Sequence, residues 1–393
     1  GAFDVLRLHP LVWKRQLERW KPDVVLVESA WRGHADWWLY EVSSVGWRRP
    51  DALAPILAYC RRAEIATVFW NKEDPVGFDR FLPAARRFDV IATTDAEAAN
   101  WYQAVVPTAT VSVVPFALNP SVHHPIVESH DVADRTMFAG SWANAEYPER
   151  VRQINELLRP SLEDGLLDIF TRRPEQWPAE FQAAIVGELQ ASEVVGRAKR
   201  YASALNVNSV IGSETMMSRR VVELAGSGVP VISGPSLALS ATFSGLAIEV
   251  NSAEACRHAI ESMMEPQSRR NASASAWRRA HLDHAVDQRF SELFELAGIS
   301  AGGAGRVTPT LVDEQVPTDI AQLAHRFASG LPVLADGRLN EAGGGVRVRR
   351  LERALRIPMR LIDGISSIDV AETELAAGRS VLQLDADAGP VDR

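Results

Sequence analysis

The chain has 393 residues, 46% hydrophobic and 23% charged, with a formal net charge of −8. Such values describe a globular protein of two or three domains with a sizeable core, and they argue against wholesale nucleic-acid binding, which favours a basic domain. Only Cys60 and Cys256 are present, too few for a disulfide framework or a cysteine-rich zinc site, so a reducing, cytoplasmic setting is expected.

In chain order, short β-rich runs alternate with helical stretches, the signature of parallel α/β architecture. A strand is expected over Phe3–Leu8, a helix over Leu11–Trp20 and a buried strand over Asp23–Glu28. Then come a helix over Asp51–Glu64, a strand over Ala66–Trp70, a helix over Gly77–Arg87 and a strand over Asp89–Thr93. Asp95 is placed to cap a helix over Ala96–Gln103, and a strand over Thr110–Val114 closes a first doubly wound domain, 1–116. Residues 117–134, with Asn119-Pro120 and His123-His124-Pro125, suit a connection.

A second α/β domain, 135–298, has strands at Arg135–Ala139, Leu166–Phe170, Ala204–Asn208, Val229–Ser233 and Leu246–Val250. Its helices are expected at Pro148–Leu158, Ala191–Ala202, Met217–Ser227 and Ala253–Met264, with one long or broken helix over Arg269–Ala297. The Gly/Ala-rich run Ile299–Arg306 reads as a linker to a third α/β segment, 307–393, with strands near Leu331–Leu334, Val346–Arg349 and Ser380–Leu384. No apolar run reaches the ~18 residues of a membrane span, and Gly1–Asp4 lacks signal-peptide character. Eleven tryptophans are either core filler or stacking surface for sugar or base rings.

The densest chemistry lies in Ser213–Ser233, read as loop, helix, glycine turn and strand. Thr215 is expected to cap the helix, whose first-turn N–H groups would then attract phosphate. Arg219 and Arg220 add fixed cations suited to a diphosphate. Glu223, one turn on, can accept from a ribose diol. An ordinary amphipathic helix with a surface Arg–Glu pair fits the same spacing.

Two loops follow strands at their carboxyl ends, where open α/β sheets place ligands. In Phe69–Pro75, Trp70, Asn71 and Lys72 could hold an acceptor hydroxyl, with Glu73 or Asp74 as a base; a solvated turn is the plainer alternative. In Val27–His34, Glu28, Trp31 and Arg32 occupy the same kind of position, and His34 is a further candidate base. A third stretch, Gly140-Ser141 followed by Tyr147 and Arg150, runs from a strand towards a helix and lets backbone approach a phosphate.

The segments VESAWRG, FWNKEDPVGFDRF, FDVIATTD, FAGSW…YPER and SETMMSRRVVELAGSGVPVIS occur in that order. Together they resemble the spore-maturation-protein (CgeB-like) group of GT-B glycosyltransferases over about 3–298. The resemblance implies two Rossmann-like domains facing a cleft, the acceptor in the first, a nucleotide sugar in the second, and no metal or cofactor. It assigns Gly140, Arg150, Arg219, Arg220 and Glu223 to the donor. Retaining GT-B enzymes carry a second glutamate eight residues before the position of Glu223; here that position is Thr215, and Glu214 is out of register. The third segment resembles the first half of a GT-A glycosyltransferase, with Asp385 and Asp387 at its D-x-D position; six residues after Asp387 the sequence ends, and no catalysis by this segment is expected.

The expected function is sugar transfer from a nucleotide diphosphate sugar to a hydroxyl acceptor in cell-surface glycan or glycoconjugate synthesis. Arginines would stabilise the departing diphosphate. A retaining reaction needs no general base; an inverting one would use Glu73, Asp74 or His34. The alternatives are a catalytically silent GT-B scaffold supporting a partner enzyme, and a nucleotide-sugar epimerase.

Overall fold

The computed structural model describes residues 5–44, 51–120, 122–125, 132–142 and 148–299, and the backbone of 333–336, 360–362 and 382–384. The chain divides into two compact units. One gathers Gly1–Phe116, Gly212–Met216 and Asp287–Gly305; the other gathers Ala117–Ile211, Met217–Val286 and Arg306–Arg393.

The first unit begins with helix α1 (Trp13–Trp20) and strand β1 (Val24–Glu28), then α2 (Leu53–Arg62), β2 (Ala66–Asn71), α3 (Phe78–Ala85), β3 (Val90–Thr93), α4 (Ala96–Val105) and β4 (Thr110–Val113). All strand pairs are parallel, in the sequential order β1-β2-β3-β4. Residues buried on both faces explain the near-continuous apolar runs of β2 and β3. Leu53, Phe69, Phe81, Ile91 and Tyr102 form one core cluster, and Leu17, Val25, Ile56 and Cys60 another. Asp95 caps α4, its Oδ1 accepting from Ala98 N at 2.8 Å. Residues 5–8 form no strand. Their neighbourhood is held by side chains instead: Gln16 accepts from His9 N and donates to the Arg7 carbonyl, and Trp38 Nε1 donates to the Leu8 carbonyl.

The second unit contains β5 (Ala133–Ala139), α5 (Pro148–Glu163), β6 (Leu167–Phe170), β7 (Ile185–Gly187), α6 (Ala191–Ala198), β8 (Tyr201–Asn206), α7 (Arg220–Gly226), β9 (Val231–Ser233), α8 (Leu237–Ser240), β10 (Ile248–Glu249), α9 (Ala253–Met264) and α10 (Pro266–Asp283). Helix α11 (Val286–Leu296) returns to the first unit from Asp287 onward. The sheet order is β10-β9-β8-β5-β6-β7, all parallel. Strand order therefore reverses between β5 and β8, which makes that pair the switch point, where ligands of such sheets bind beyond the carboxyl ends. Phe138, Leu158, Ile169, Phe181, Ile232 and Ile260 lie in its core.

The turn from α7 to β9 explains the Gly-Ser-Gly of the sequence. Gly228 has φ +71°, and a Cβ there would meet Pro125 Cβ at 2.9 Å. Further along the chain, β11 (Val333–Asp336), β12 (Arg360–Ile362) and β13 (Leu382–Leu384) form a parallel sheet in the order β12-β11-β13.

Candidate functional site

At the switch point of the second unit, two arginines from different helices converge on the end of β5. Arg220, first residue of α7, donates through Nη1 to the Ala139 carbonyl. Arg150, in the first turn of α5, donates through Nη2 to the Ser141 carbonyl at 3.3 Å. Gly140 lies between these carbonyls, and a Cβ on it would come within 2.9 Å of the Phe138 ring and 3.3 Å of Arg150 Nη2. The missing side chain is what lets the guanidinium approach the backbone. Arg220 is half-buried, and desolvation lowers its pKa from the ordinary value. Arginine remains charged through such a shift, so a fixed cation sits at the strand end.

Arg219 points elsewhere. Its Nε pairs with Glu223 Oε1 at 2.8 Å, one turn along α7; the arginine side chain is 57% exposed and the glutamate 20%. Gly140, Arg150 and Arg220 are thus brought together, while Arg219 and Glu223 form a neighbouring ion pair. Tyr147 lies outside the described residues, as do Asp385 and Asp387.

Thr215 is not a helix cap. Helix α7 starts at Arg220, with Arg219 at its N-cap and no side-chain cap. The Thr215 hydroxyl instead donates to the Thr94 carbonyl at 2.9 Å and accepts from Ala96 N at 3.0 Å. It thereby satisfies an opening N–H of α4 that would otherwise be unpaired. Ser213 Oγ accepts from Thr215 N at 3.3 Å and Met216 N at 3.0 Å, folding residues 213–216 into a turn of their own.

A polar network at the ends of β8 and β9 escaped the sequence reading. Asn208 Nδ2 donates to Ser233 Oγ at 3.1 Å and the Gly234 carbonyl at 3.0 Å. Its Oδ1 accepts from Asn206 Nδ2 at 3.2 Å and Ser218 N at 3.3 Å. Gln153 of α5 accepts from Asn208 N at 2.8 Å and donates to the Pro235 carbonyl at 3.2 Å. These buried amides fix the backbone leading into α7 and orient α5, so they set where Arg220 and Arg150 begin. The signal was the alternation Leu205-Asn206-Val207-Asn208, with amides at a strand end where core residues would serve a purely structural strand.

In the first unit, register brings Glu28 beside Trp70 and Asn71 beside Thr93 at the carboxyl end of the sheet. Trp70 is 1% exposed, and its indole N–H donates to the Val114 carbonyl at 2.9 Å. It therefore offers no face to a sugar ring. Asn71 is equally enclosed: Nδ2 donates to Asp74 Oδ1 at 2.7 Å and the Tyr102 hydroxyl at 2.8 Å, and Oδ1 accepts from Glu73 N.

Asp74 is fully buried, its other oxygen accepting from Thr93 Oγ1 at 2.7 Å. Burial pushes its carboxyl up to about 7, with the hydroxyls of Thr93 and Tyr102 pulling the other way and the charges of Asp95 and Glu73 adding to the rise. Both oxygens are occupied, so Asp74 ties the turn to β3 and is not an accessible base. The Asp74–Pro75 peptide is cis.

Lys72, Glu28 and Glu73 remain nearer the surface. Lys72 Nζ pairs with the Glu28 carboxylate and lies 3.9 Å above the Trp70 ring, and its backbone N–H donates to Ser29 Oγ. Arg32 holds Asp36 through two bonds of 2.7 and 2.6 Å. Trp31 packs edge-on against Phe81, and His34 against Trp37, with Arg7 Nη1 at 3.5 Å. Trp31 is thus core packing, and Arg32 and His34 belong to a surface turn.

Residues 150–295 match a family model described as glycosyl transferase-like. No curated protein matches the chain in sequence. Among solved structures, an alpha-glucosyltransferase in complex with UDP and a 13-mer DNA is similar at 11% identity and TM-score 0.50, over 76% of this chain and 86% of that one. Sucrose-phosphate synthase from Thermosynechococcus elongatus gives 11% identity and TM-score 0.45, over 73% and 76% of the two chains. Anabaena HepE in complex with UDP and glucose gives 12% and 0.45, over 74% and 81%. The likeness to the alpha-glucosyltransferase is one of fold, parallel α/β units of the kind found in GT-B glycosyltransferases, and the glycosyl transferase-like match covers the stretch that carries Arg150, Arg219, Arg220 and Glu223.

Proposed function

We propose that the chain transfers a sugar from a nucleoside diphosphate sugar to a hydroxyl acceptor of a glycan or glycoconjugate. The observation that carries this reading is the convergence of Arg150 and Arg220 on the Ala139–Ser141 backbone at the switch point of the second sheet. In the transfer, the bond from the sugar carbon to the diphosphate oxygen breaks, the acceptor oxygen bonds that carbon, and the acceptor proton leaves to solvent or the departing phosphate. Negative charge builds on the diphosphate, and fixed cations placed in advance lower that barrier most effectively. The same arginines provide the countercharge that a divalent ion would otherwise supply, so turnover is proposed to persist in EDTA.

The glycosyl transferase-like match over 150–295 supports the reading, and the UDP named for the alpha-glucosyltransferase makes UDP the first probe. The test is calorimetry of UDP with wild type, Arg150→Met and Arg220→Met. Each variant should weaken binding by about tenfold or more, since a hydrogen bond to a charged group contributes about 1.5–3 kcal/mol. Binding unchanged in both folded variants would sink the assignment.

A second reading, a silent scaffold that binds the nucleotide without transfer, draws on Thr215. At the position where retaining enzymes would carry a further glutamate, its hydroxyl is committed to Thr94 and Ala96. UDP binding without any UDP-sugar turnover would favour that reading.

A further inference from the structure

The first unit carries a surface whose chemistry nothing in sugar transfer requires. Between residues 5 and 23 there are five basic side chains, Arg7, Lys14, Arg15, Arg19 and Lys21, against two acidic ones, Glu18 and Asp23, in a chain of net charge −8. All five basic side chains are exposed. The inner face of α1 is spent on the core: Leu17 is buried with Val25, Ile56 and Cys60, and Trp13 packs against that cluster. The outer face carries Lys14, Arg15 and Arg19, with Glu18 3.9 Å from Lys14, and is net basic.

Apolar groups stand directly before it. Leu11 is 85% exposed and Val12 50%, in the turn that opens α1, with Val12 N bonded to the His9 carbonyl. Leu11 and Val12 stand immediately before the turns of α1 that carry Lys14, Arg15 and Arg19. Exposed aliphatic side chains framed by basic ones mark an interaction surface more than a solvated face.

We propose that this surface docks the protein on an anionic lipid bilayer, the basic side chains meeting headgroup charge and Leu11 and Val12 entering the interface. Charge complementarity selects an anionic partner. The aliphatic side chains select lipid over nucleic acid, because phosphate backbones reward cations but not an exposed leucine. No helix among the described residues is long and apolar enough to cross a membrane, and the proposed contact is made at the bilayer surface.

Cosedimentation of the full chain with vesicles tests this directly and needs no substrate. One vesicle is phosphatidylcholine alone; the other is an equal mixture with phosphatidylglycerol. The chain should pellet with the mixed vesicles and stay soluble with the neutral ones. A basic residue at an anionic surface strengthens attachment about fivefold, so Lys14→Glu with Arg15→Glu should weaken binding by well over tenfold. Leu11→Ser with Val12→Ser should leave a residual attachment that salt abolishes. Circular dichroism shows whether each variant keeps its fold; all these positions are exposed. The idea is overturned if wild type ignores the mixed vesicles, if the charge-reversed variant binds them as well as wild type, or if the surface binds duplex DNA and not the vesicles.

Discussion

Replacing Asp74 with asparagine isolates the effect of one buried proton. In the native protein burial raises the carboxyl to about 7, whereas an unfolded aspartate titrates near 3.9. The native state therefore holds a proton that the unfolded chain releases between roughly pH 4 and pH 7. Stability from this group is fully present below the unfolded value and is lost as pH rises through the folded one. About three pH units at about 1.4 kcal/mol each make a loss of about 4 kcal/mol across that window. Asparagine keeps the shape and does not titrate. Its carbonyl can accept from Asn71 as Asp74 Oδ1 does, and its amide can donate to Thr93 once that hydroxyl turns. Urea unfolding of both proteins at several pH values gives the difference curve. Asp74→Asn should gain on wild type by about 1.4 kcal/mol per pH unit between 4 and 7, and the gain should level off above. A difference that stays flat with pH would show that the carboxyl is ionised throughout, and the neutral, enclosed Asp74 would have to be abandoned.

Three other outcomes are expected. Glu223→Ala should weaken UDP binding by about 1.5–3 kcal/mol if its carboxylate leaves Arg219 for a ribose diol; calorimetry with unchanged affinity removes it from the site. Thr215→Val removes the hydroxyl shared by Thr94 and Ala96 and should cost about 1–3 kcal/mol in denaturant unfolding, with Thr215→Ser restoring most of it. Asn208→Ala strips partners from Ser218 N, Asn206 and the Gly234 carbonyl at once. A loss of about 2–4 kcal/mol is expected, and a thermal midpoint equal to wild type would contradict the network.

The parallel architecture was legible because buried strands write themselves as apolar runs: Val24–Glu28, Ala66–Asn71 and Val90–Thr93 stand where the β-rich stretches do. Pattern reading failed where tertiary packing decided. Helix α5 continues through Pro160 to Glu163 although proline argues for an earlier stop. Leu157, Leu158 and the buried Ser161 keep the last turns on the core. Strand β7 is three residues long and pairs only at the sheet edge, too short for any periodicity to announce. The break between α10 and α11 has a partner remote in sequence: Leu118 accepts from Val286 N and donates to the His284 carbonyl. No local pattern encodes a contact of that span.

The site was half legible for a related reason. Residue types at strand ends reveal that polar chemistry is concentrated there, but not whether a polar side chain faces outward or is consumed by its neighbours. In Phe69–Pro75 the polar groups looked like ligands for a hydroxyl. Yet Asn71 bonds Asp74 and Tyr102, Asp74 bonds Thr93, Trp70 bonds Val114, and all three are sealed from solvent. Burying a polar group without partners costs more than a partnered one returns, so such a cluster must be complete within itself, and a complete cluster has nothing left for a substrate. The arginines obey the opposite logic. Arg220 is held by the Ala139 carbonyl at the end of β5, and Arg150 by the Ser141 carbonyl two residues on. A carbonyl carries no net charge, so these two bonds fix the guanidiniums in place without cancelling a charge, which is the property the proposed diphosphate site draws on.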